Sequence, residues 1–319
     1  MSKAVLGIDV AKGKLDAALK FDGKTLERRF DNRPKGFKLL HGWLMSLRIE
    51  QAHACLEATG TYGEAVAEFL YEKGHRVSVV NPLRIKSYAK ADLQRNKTDT
   101  ADARTIADFW LVKDPDDWHP LPDEVKHLQA LTRRIGSLGQ MLASERNRLE
   151  SAAAEVRPSL KRIIRTLEKE IEQVTRLIKD HINAHPDLKQ QNKLLQTIPG
   201  IGPKTARVML GEIEFSTFKS ARSLAAHAGL TPRKDQSGTS LNRTRLSKLG
   251  NGRLRKALYF PAIVALKHNE TIKEFASHLS KKGKTPMQVI CTAMHKLLHI
   301  AFGVIKHNHP FNPNPASYT

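Results

Sequence analysis

The run Ala4-Val5-Leu6-Gly7-Ile8-Asp9-Val10 constrains this chain more than any other stretch. An apolar run so short, rich in Val and Ile, reads as a buried central strand rather than a helix, and it ends by presenting a carboxylate. Placing a carboxylate there costs stability unless something compensates it, so Asp9 is a candidate first ligand of a metal site. An Asp capping the turn after the strand is the alternative.

The neighbouring segments supply a sheet for that strand. Residues 14–21 and 25–30 flank Asp22-Gly23, a turn dipeptide that predicts an antiparallel meander. Over residues 34–47, Phe37, Leu40, Trp43, Leu44 and Leu47 have helical spacing. Residues 52–56 read as the next strand, ending in Glu57; a helix over about 62–73 leads to a strand over 76–80, which Asn81-Pro82 closes with a turn. A meander, then helix, strand, helix, strand is the order of a ribonuclease-H-like α/β domain, though many α/β folds begin similarly.

A second pair of acids lies downstream. Asp99 and Asp102 are three residues apart at the start of a pattern continuing through Ile106, Phe109 and Trp110, so both fall on one helix face. With Asp9 and Glu57 at two strand ends, the fold has four carboxylates to gather. Hard oxygen ligands without His or Cys select Mg²⁺ or Mn²⁺, and a cation offsets the repulsion among them. For Asp99 and Asp102 the plainer alternative is a helix cap and a first-turn acid facing water.

Charge narrows the partner. Lys and Arg number 53 against 32 Asp and Glu, a formal net charge of +21, which calls for a polyanion. Nucleic acid is the first expectation. The rival, a membrane surface, is disfavoured by the lack of an uninterrupted run of 18 apolar residues and of a charged-then-apolar leader; a cytoplasmic bacterial location is expected. The two cysteines, Cys55 and Cys291, lie far apart in apolar surroundings and read as packed, reduced thiols.

The expected organisation is an α/β domain over 1–112, a Pro-containing linker over 113–122, a helical arm over 123–184, a mostly helical domain over 185–306 and a flexible tail over 307–319. In the arm, Leu128, Ile135, Leu142, Leu149 and Val156 fall on a seven-residue line with Leu131 and Leu138 beside it, a coiled-coil seam. Pro158 interrupts it, and the stripe restarts in a new phase with Leu160, Ile164, Leu167, Ile171, Val174 and Ile178, so two helices are expected. An antiparallel hairpin or a partner subunit would cover it; an oligomerisation arm is the preferred expectation.

In the third region, Ile198-Pro199-Gly200-Ile201-Gly202-Pro203-Lys204-Thr205 lies between two helical stretches and resembles a helix-hairpin-helix turn, with Lys204 and Arg207 placed to meet a phosphate. Residues 219–256 hold ten Lys or Arg and one acid, Asp235. Arg233, Lys234, Arg243, Arg245, Lys248, Arg253 and Arg255 are the candidate nucleic-acid contacts there, although Arg253 and Arg255 also fit a wet helix face. Within the patch, residues 234–240 read as a polar loop in which a serine could reach a phosphate held by arginines. His295 and His299, four apart on a helix, have no evident third ligand and read as surface or core histidines.

Gly7-Ile8-Asp9-Val10-Ala11-Lys12, the Glu57 to Gly63 stretch, Asn81-Pro82 and the Lys97 to Ala103 stretch together resemble the DEDD transposases of the insertion-sequence one-ten family, the bridge-RNA-guided serine recombinases. Gly229-Leu230-Thr231-Pro232-Arg233, Gln236-Ser237-Gly238, Ser247 to Gly250 and Leu254 to Leu258 are similar to the serine-bearing domain of the same family. The resemblance implies a RuvC-like first domain with Asp9, Glu57, Asp99 and Asp102 as its Mg²⁺-binding quartet. It also implies Ser237 as nucleophile, with Ser240 less favoured, a homo-oligomer (dimer or tetramer), donor and target DNA, and a guide RNA. The expected reaction is cutting and rejoining of DNA through a covalent phosphoserine. The alternatives are a Mg²⁺-dependent hydrolytic nuclease or junction resolvase using the acids alone, and a DNA-binding protein without chemistry.

Overall fold

The computed structural model describes residues 3–58, 60–91, 99–237 and 241–313, and the chain divides into two units, Met1–Pro120 and Leu121–Thr319.

In the first unit the opening run forms β1, Val5–Val10. It pairs antiparallel with β2, Lys14–Phe21, which pairs in turn with β3, Lys24–Asp31. Asp22 and Gly23, at φ 47 and 73, make the tight turn between those strands. Helix α1, Pro34–Ser46, β4, His53–Glu57, α2, Glu64–Glu72, and β5, Arg76–Val80, complete a five-stranded sheet ordered β3-β2-β1-β4-β5. β4 runs parallel to both β1 and β5. Along the chain this is the expected element order, a meander followed by helix, strand, helix and strand, and the apolar strand stands at the centre of the sheet.

Each face of β1 meets helices. Leu6, Ile8 and Val10 pack with Leu40, Leu44, Val66 and Leu70 on one side. Val5, Cys55 and Val80 pack with Ile106, Ala107, Phe109 and Trp110 on the other. That second layer is built from α3, Pro82–Ala91, and α4, Asp99–Lys113. Asn81-Pro82 therefore begins a helix instead of closing a turn: the Asn81 Oδ1 accepts from the Leu83 N–H at 2.9 Å, and Pro82, lacking an N–H, suits a first helical position.

The second unit is almost entirely helical. α5, Asp123–Ser151, and α6, Arg157–Ala184, run antiparallel: His127 stacks on His181 near one end, and Arg146 meets Glu168 at 2.7 Å nearer the other. Pro158 lies in the first turn of α6, where its missing N–H costs nothing. Leu128 and Leu138 share one core with Val174, Ile178 and Ile182, so the inner parts of the two stripes cover each other within the chain, whereas Val156 at the far end of the first is exposed. α7, Pro186–Gln196, α8, Pro203–Glu212, and α9, Ala221–His227, follow.

Next come two antiparallel strands, β6, Pro232–Ser237, and β7, Leu241–Leu246, where a polar loop was expected. The residues here are mostly polar and cationic and lack the apolar alternation that marks a half-buried strand, so the segment reads as a loop in the sequence. α10, Gly252–His268, α11, Glu270–Lys281, and α12, Pro286–Lys306, close the unit. α12 is long and apolar enough to cross a membrane by length and composition. It buries Ala293, Met294, Leu297, Leu298 and Phe302 in this core, however. The tail is not wholly free: the Phe311 N–H donates to the Thr197 Oγ1 at 2.8 Å, and Phe311 packs on the core.

Candidate carboxylate site and serine hairpin

The register of β1 on β4 runs from Val5 opposite His53 to Ile8 opposite Leu56. One residue further along each strand stand Asp9 and Glu57, side by side at the C-terminal edge of adjacent parallel strands. Such strands lie about 4.8 Å apart, and residues in register point to the same face. That face is the one α4 covers, since Gly7 and Cys55 precede the two acids by one side-chain period. Both carboxylates are half-buried.

α4 crosses this face antiparallel to β1. Its C-terminal part lies at the start of the strands, where Trp110 packs on His53 with ring centroids 4.3 Å apart and Lys3 lies over the Trp110 ring. Asp108 pairs with Lys20, which stands opposite Val5. Arg104 pairs with Glu27, one strand beyond Ala18, which stands opposite Gly7. Gly7 is where the helix touches the strand most closely: a side chain there would overlap the Ala103 and Ala107 backbone. Continuing toward its N-terminus at about 1.5 Å per residue, the helix brings Asp102 and then Asp99 to the end where Asp9 and Glu57 stand. Asp102 is half-buried. The backbone of Asp99 starts α4, and its side chain falls outside the described residues.

Sequence reading missed a further acid on this row. Asp16 of β2 is the register partner of Asp9 and is buried at 2 % exposure. It accepts from the Arg29 Nε at 2.7 Å and lies 3.2 Å from the Lys14 Nζ. The row across the sheet is thus Glu57, Asp9, Asp16, Arg29, with the buried acid already paired to cations. The only signal was the Asp at the second paired position of a hairpin, which many strands share. Cys55, one period before Glu57, is held as an inert thiol: burial pushes its pKa up to about 12, with Glu57 adding and Arg84 opposing.

Among the described residues no three His, Cys, Asp or Glu side chains form a cluster able to hold a metal. The expected quartet includes Asp99, whose side chain lies outside that set. Asp9 and Glu57, which the register brings to one strand edge, are carboxylates, donors of the kind that suit a hard divalent cation such as Mg²⁺ or Mn²⁺, but with Asp102 they do not close into a three-ligand cluster.

In the second unit, Ser237 is the last residue of β6, paired with Leu241 across the hairpin; its side chain and all of Ser240 lie outside the described residues. The ladder pairs Arg233 with Arg245 and Asp235 with Arg243, so positions 233, 235 and 237 share a face with 241, 243 and 245. Arg233 and Arg245 are exposed, and like charges directly opposite on a ribbon repel unless an anion stands between them. The side chains of Lys234 and Arg243 are likewise outside the described set.

The other expected contacts separate. Lys204, Lys248 and Arg253 are exposed and Arg207 is half-buried. The turn before α8 places Gly200 at φ 105, its Cα against Pro261 and Ala265 of α10, and leaves Gly202 open. α8 starts at that open glycine with no side-chain cap, and Lys204 lies in its first turn. Arg255 is otherwise engaged: its guanidinium donates to the Ala228 carbonyl at 3.0 Å and the Lys248 carbonyl at 3.4 Å, tying two chain segments together rather than facing a ligand with that nitrogen. His295 and His299 stack 4.2 Å apart. Burial, then its neighbours His295 and Lys296, holds His299 down to about 4.

Sequence profiles described as "Transposase" and "Transposase IS116/IS110/IS902 family" match residues 6–158 and 192–277. The pilin gene-inverting proteins of Moraxella bovis and Moraxella lacunata are each 37% identical over 317 residues, 98% of both chains. The transposase for insertion sequence element IS1328 of Yersinia enterocolitica is 25% identical over 224 residues, 60% of this chain and 65% of that one. Among solved structures, T. thermophilus RuvC in complex with Holliday junction substrate aligns over 36% of this chain and 99% of its own, at 16% identity and a TM-score of 0.29, too loose an overlap to carry an argument.

Proposed function

The chain belongs to the IS110 family of transposases, and from that premise we propose that it cuts and rejoins DNA through a phosphoserine at Ser237, with Asp9, Glu57, Asp99 and Asp102 forming the acidic half of the site. The observation that carries the acidic half is the placement of Asp9 and Glu57 on neighbouring parallel strands beneath the N-terminal end of α4.

In this mechanism the Ser237 Oγ attacks a phosphodiester phosphorus. A P–O(Ser) bond forms, a P–O(deoxyribose) bond breaks, and the serine proton and the leaving alkoxide are accounted for by transfer of one proton. Rejoining reverses the step with a hydroxyl from another strand end, so the number of phosphodiesters is conserved. The Moraxella relatives are named for inverting a gene, an outcome with that same balance. Arg233 and Arg245, on the Ser237 face of the hairpin, hold the phosphate by charge-assisted hydrogen bonds. Lys204 and the open N-terminus of α8 hold a second stretch of backbone. A Mg²⁺ or Mn²⁺ ion held by the four carboxylates would supply divalent charge beside the scissile phosphate. A guide RNA and a multimer in which acids and serine come from different subunits are carried into this proposal from the family resemblance alone.

The test is a denaturing gel of DNA recovered from cells carrying the coding sequence with its native flanking DNA. Wild type gives a protein-linked strand; Ser237→Ala gives none and retains DNA binding. Strand cleavage surviving in that variant replaces this reading with a water-activating nuclease built on the acids alone. Sequencing nucleic acid that copurifies tests the guide: the absence of any specific noncoding RNA removes it.

A further inference from the structure

The hairpin that carries Ser237 has two feet, and one buried carboxylate outside the acidic row stands beneath them. Glu212, the last residue of α8, has a side chain 3% exposed. Its Oε1 accepts from the Arg133 Nε of α5 at 3.2 Å, and its Oε2 accepts from the Asn251 Nδ2 at 2.8 Å. A buried carboxylate is tolerated when its lone pairs are filled by a cation and a donor, and this one has both. Asn251 in turn cannot turn its amide over at no cost, because its Oδ1 caps α10, accepting from the N–H groups of Arg253 and Leu254 at 3.0 and 3.1 Å.

Asn251 also joins the hairpin's two feet. Its backbone N–H donates to the His227 carbonyl at 2.6 Å, linking the exit of β7 to the end of α9, from which the chain enters β6. Gly250, at φ 146, lies so close to that carbonyl that a Cβ would overlap it. Above this rung the Lys248 N–H donates to the Gly229 carbonyl and the Ser247 N–H to the Thr231 carbonyl, at 3.2 and 2.9 Å. Arg255 spans the same gap from the side, through the Ala228 and Lys248 carbonyls.

We propose that Glu212 and Asn251 are positioning residues for the serine hairpin: the buried Glu212–Asn251 hydrogen bond fixes the angle at which β6 and β7 leave the helical core, and so where the nucleophile stands. The proposal rests on Ser237 as nucleophile. A hairpin two strands wide has no sheet to hold it, so its direction is set at its feet. An angular error there grows toward the tip, where a displacement of about 1 Å is enough to lower a reaction rate by up to about 100-fold.

The hydrogen bond is reversible in sense, which gives the test. In Glu212→Gln, the amide either presents a donor to the Asn251 donor or turns away from Arg133. In Asn251→Asp, two carboxylates face each other. The pair E212Q/N251D restores one donor and one acceptor, keeps the α10 cap, and keeps one negative charge near Arg133. Two readouts are taken on the full chain: amide hydrogen exchange over residues 229–251, without nucleic acid, and the rate of covalent adduct formation at saturating duplex DNA spanning the junction that wild type recombines in cells.

Each single variant is expected to exchange faster at the hairpin feet and to form adduct at least about tenfold more slowly, with the DNA dissociation constant within about twofold of wild type. The pair is expected to recover both. Single variants with wild-type adduct rates, or a pair that stays as slow as they are, overturns the positioning role; melting temperatures that fall equally in all three while adduct rates track them assigns the residues to stability alone. If Ser237→Ala still forms adduct, the nucleophile assignment fails, and the exchange pattern then reads the hairpin geometry by itself.

Discussion

Gly7 and Ala103 meet backbone to backbone: a Cβ on Gly7 would stand 2.2 Å from the Ala103 carbonyl oxygen and 2.6 Å from the Ala107 nitrogen. No rotamer relieves an overlap with backbone. Gly7→Ala therefore lifts α4 from the sheet, losing the packing of Ile106 and Ala107 and moving Asp99 and Asp102 away from Asp9. The expected outcome is a loss of about 1–3 kcal/mol in urea unfolding, typical of overpacking, together with a smaller Mg²⁺-induced thermal shift. A variant with wild-type stability and metal response shows that the helix does not sit on this strand.

Asp9 and Glu57 carry like charge on adjacent rungs, so each ionised carboxylate raises the free energy of the other. Asp9→Asn is expected to raise the melting temperature in EDTA by removing that repulsion, and to abolish the Mg²⁺-induced rise expected of wild type. Recombination is lost in the same variant. A wild-type response to Mg²⁺ in Asp9→Asn would falsify the ligand role.

His75 gives the first unit a pH dependence. Its Nδ1 accepts from the Ala52 N–H at 3.1 Å, and its Nε2 lies 3.1 Å from the His41 Nδ1. Burial first, then His41, lowers its pKa to about 4. With the folded value below the unfolded one of about 6.5, the unfolded chain binds the proton more readily, so this contribution is complete above pH 6.5 and is lost as pH falls toward 4. Urea midpoints measured between pH 7 and pH 4 should fall less steeply in His75→Gln than in wild type. Parallel slopes would show that His75 does not titrate differently in the two states.

What could be read from the residues divides along physical lines. β1 through β5 were legible because apolar runs, helical spacing and Asp22-Gly23 act locally and agree with one another. Asp9 and Glu57 were legible as strand ends, but their adjacency came from register, which no short window encodes. α3 was misread because Asn81-Pro82 serves equally as a turn or a helix start, and the choice depends on the Asn81 Oδ1 finding the Leu83 N–H. The β6–β7 ribbon was read as a loop because its strands are polar. Glu212 gave no signal, since an acid at the end of an amphipathic helix reads as a wet residue until Arg133 and Asn251 are brought to it from positions distant in the chain.

Arg253 and Arg255 are two residues apart on α10, yet the structure gives them different work, and salt dependence separates them. Arg253 is exposed at the helix start, whereas Arg255 is tied to the Ala228 and Lys248 carbonyls. A side chain that neutralises one phosphate contributes about 0.9 to the slope of log K against log salt on duplex DNA. Arg253→Ala, like Lys204→Ala, should lower that slope by about 1 and weaken binding on all sequences alike. Arg255→Ala should leave the slope nearly unchanged and instead speed amide exchange at the hairpin feet, where two backbone carbonyls lose a donor. Filter binding across a salt series measures the first pair. Equal slope losses in Arg253→Ala and Arg255→Ala would place both guanidinium groups on the phosphate backbone and remove Arg255 from the hairpin's support.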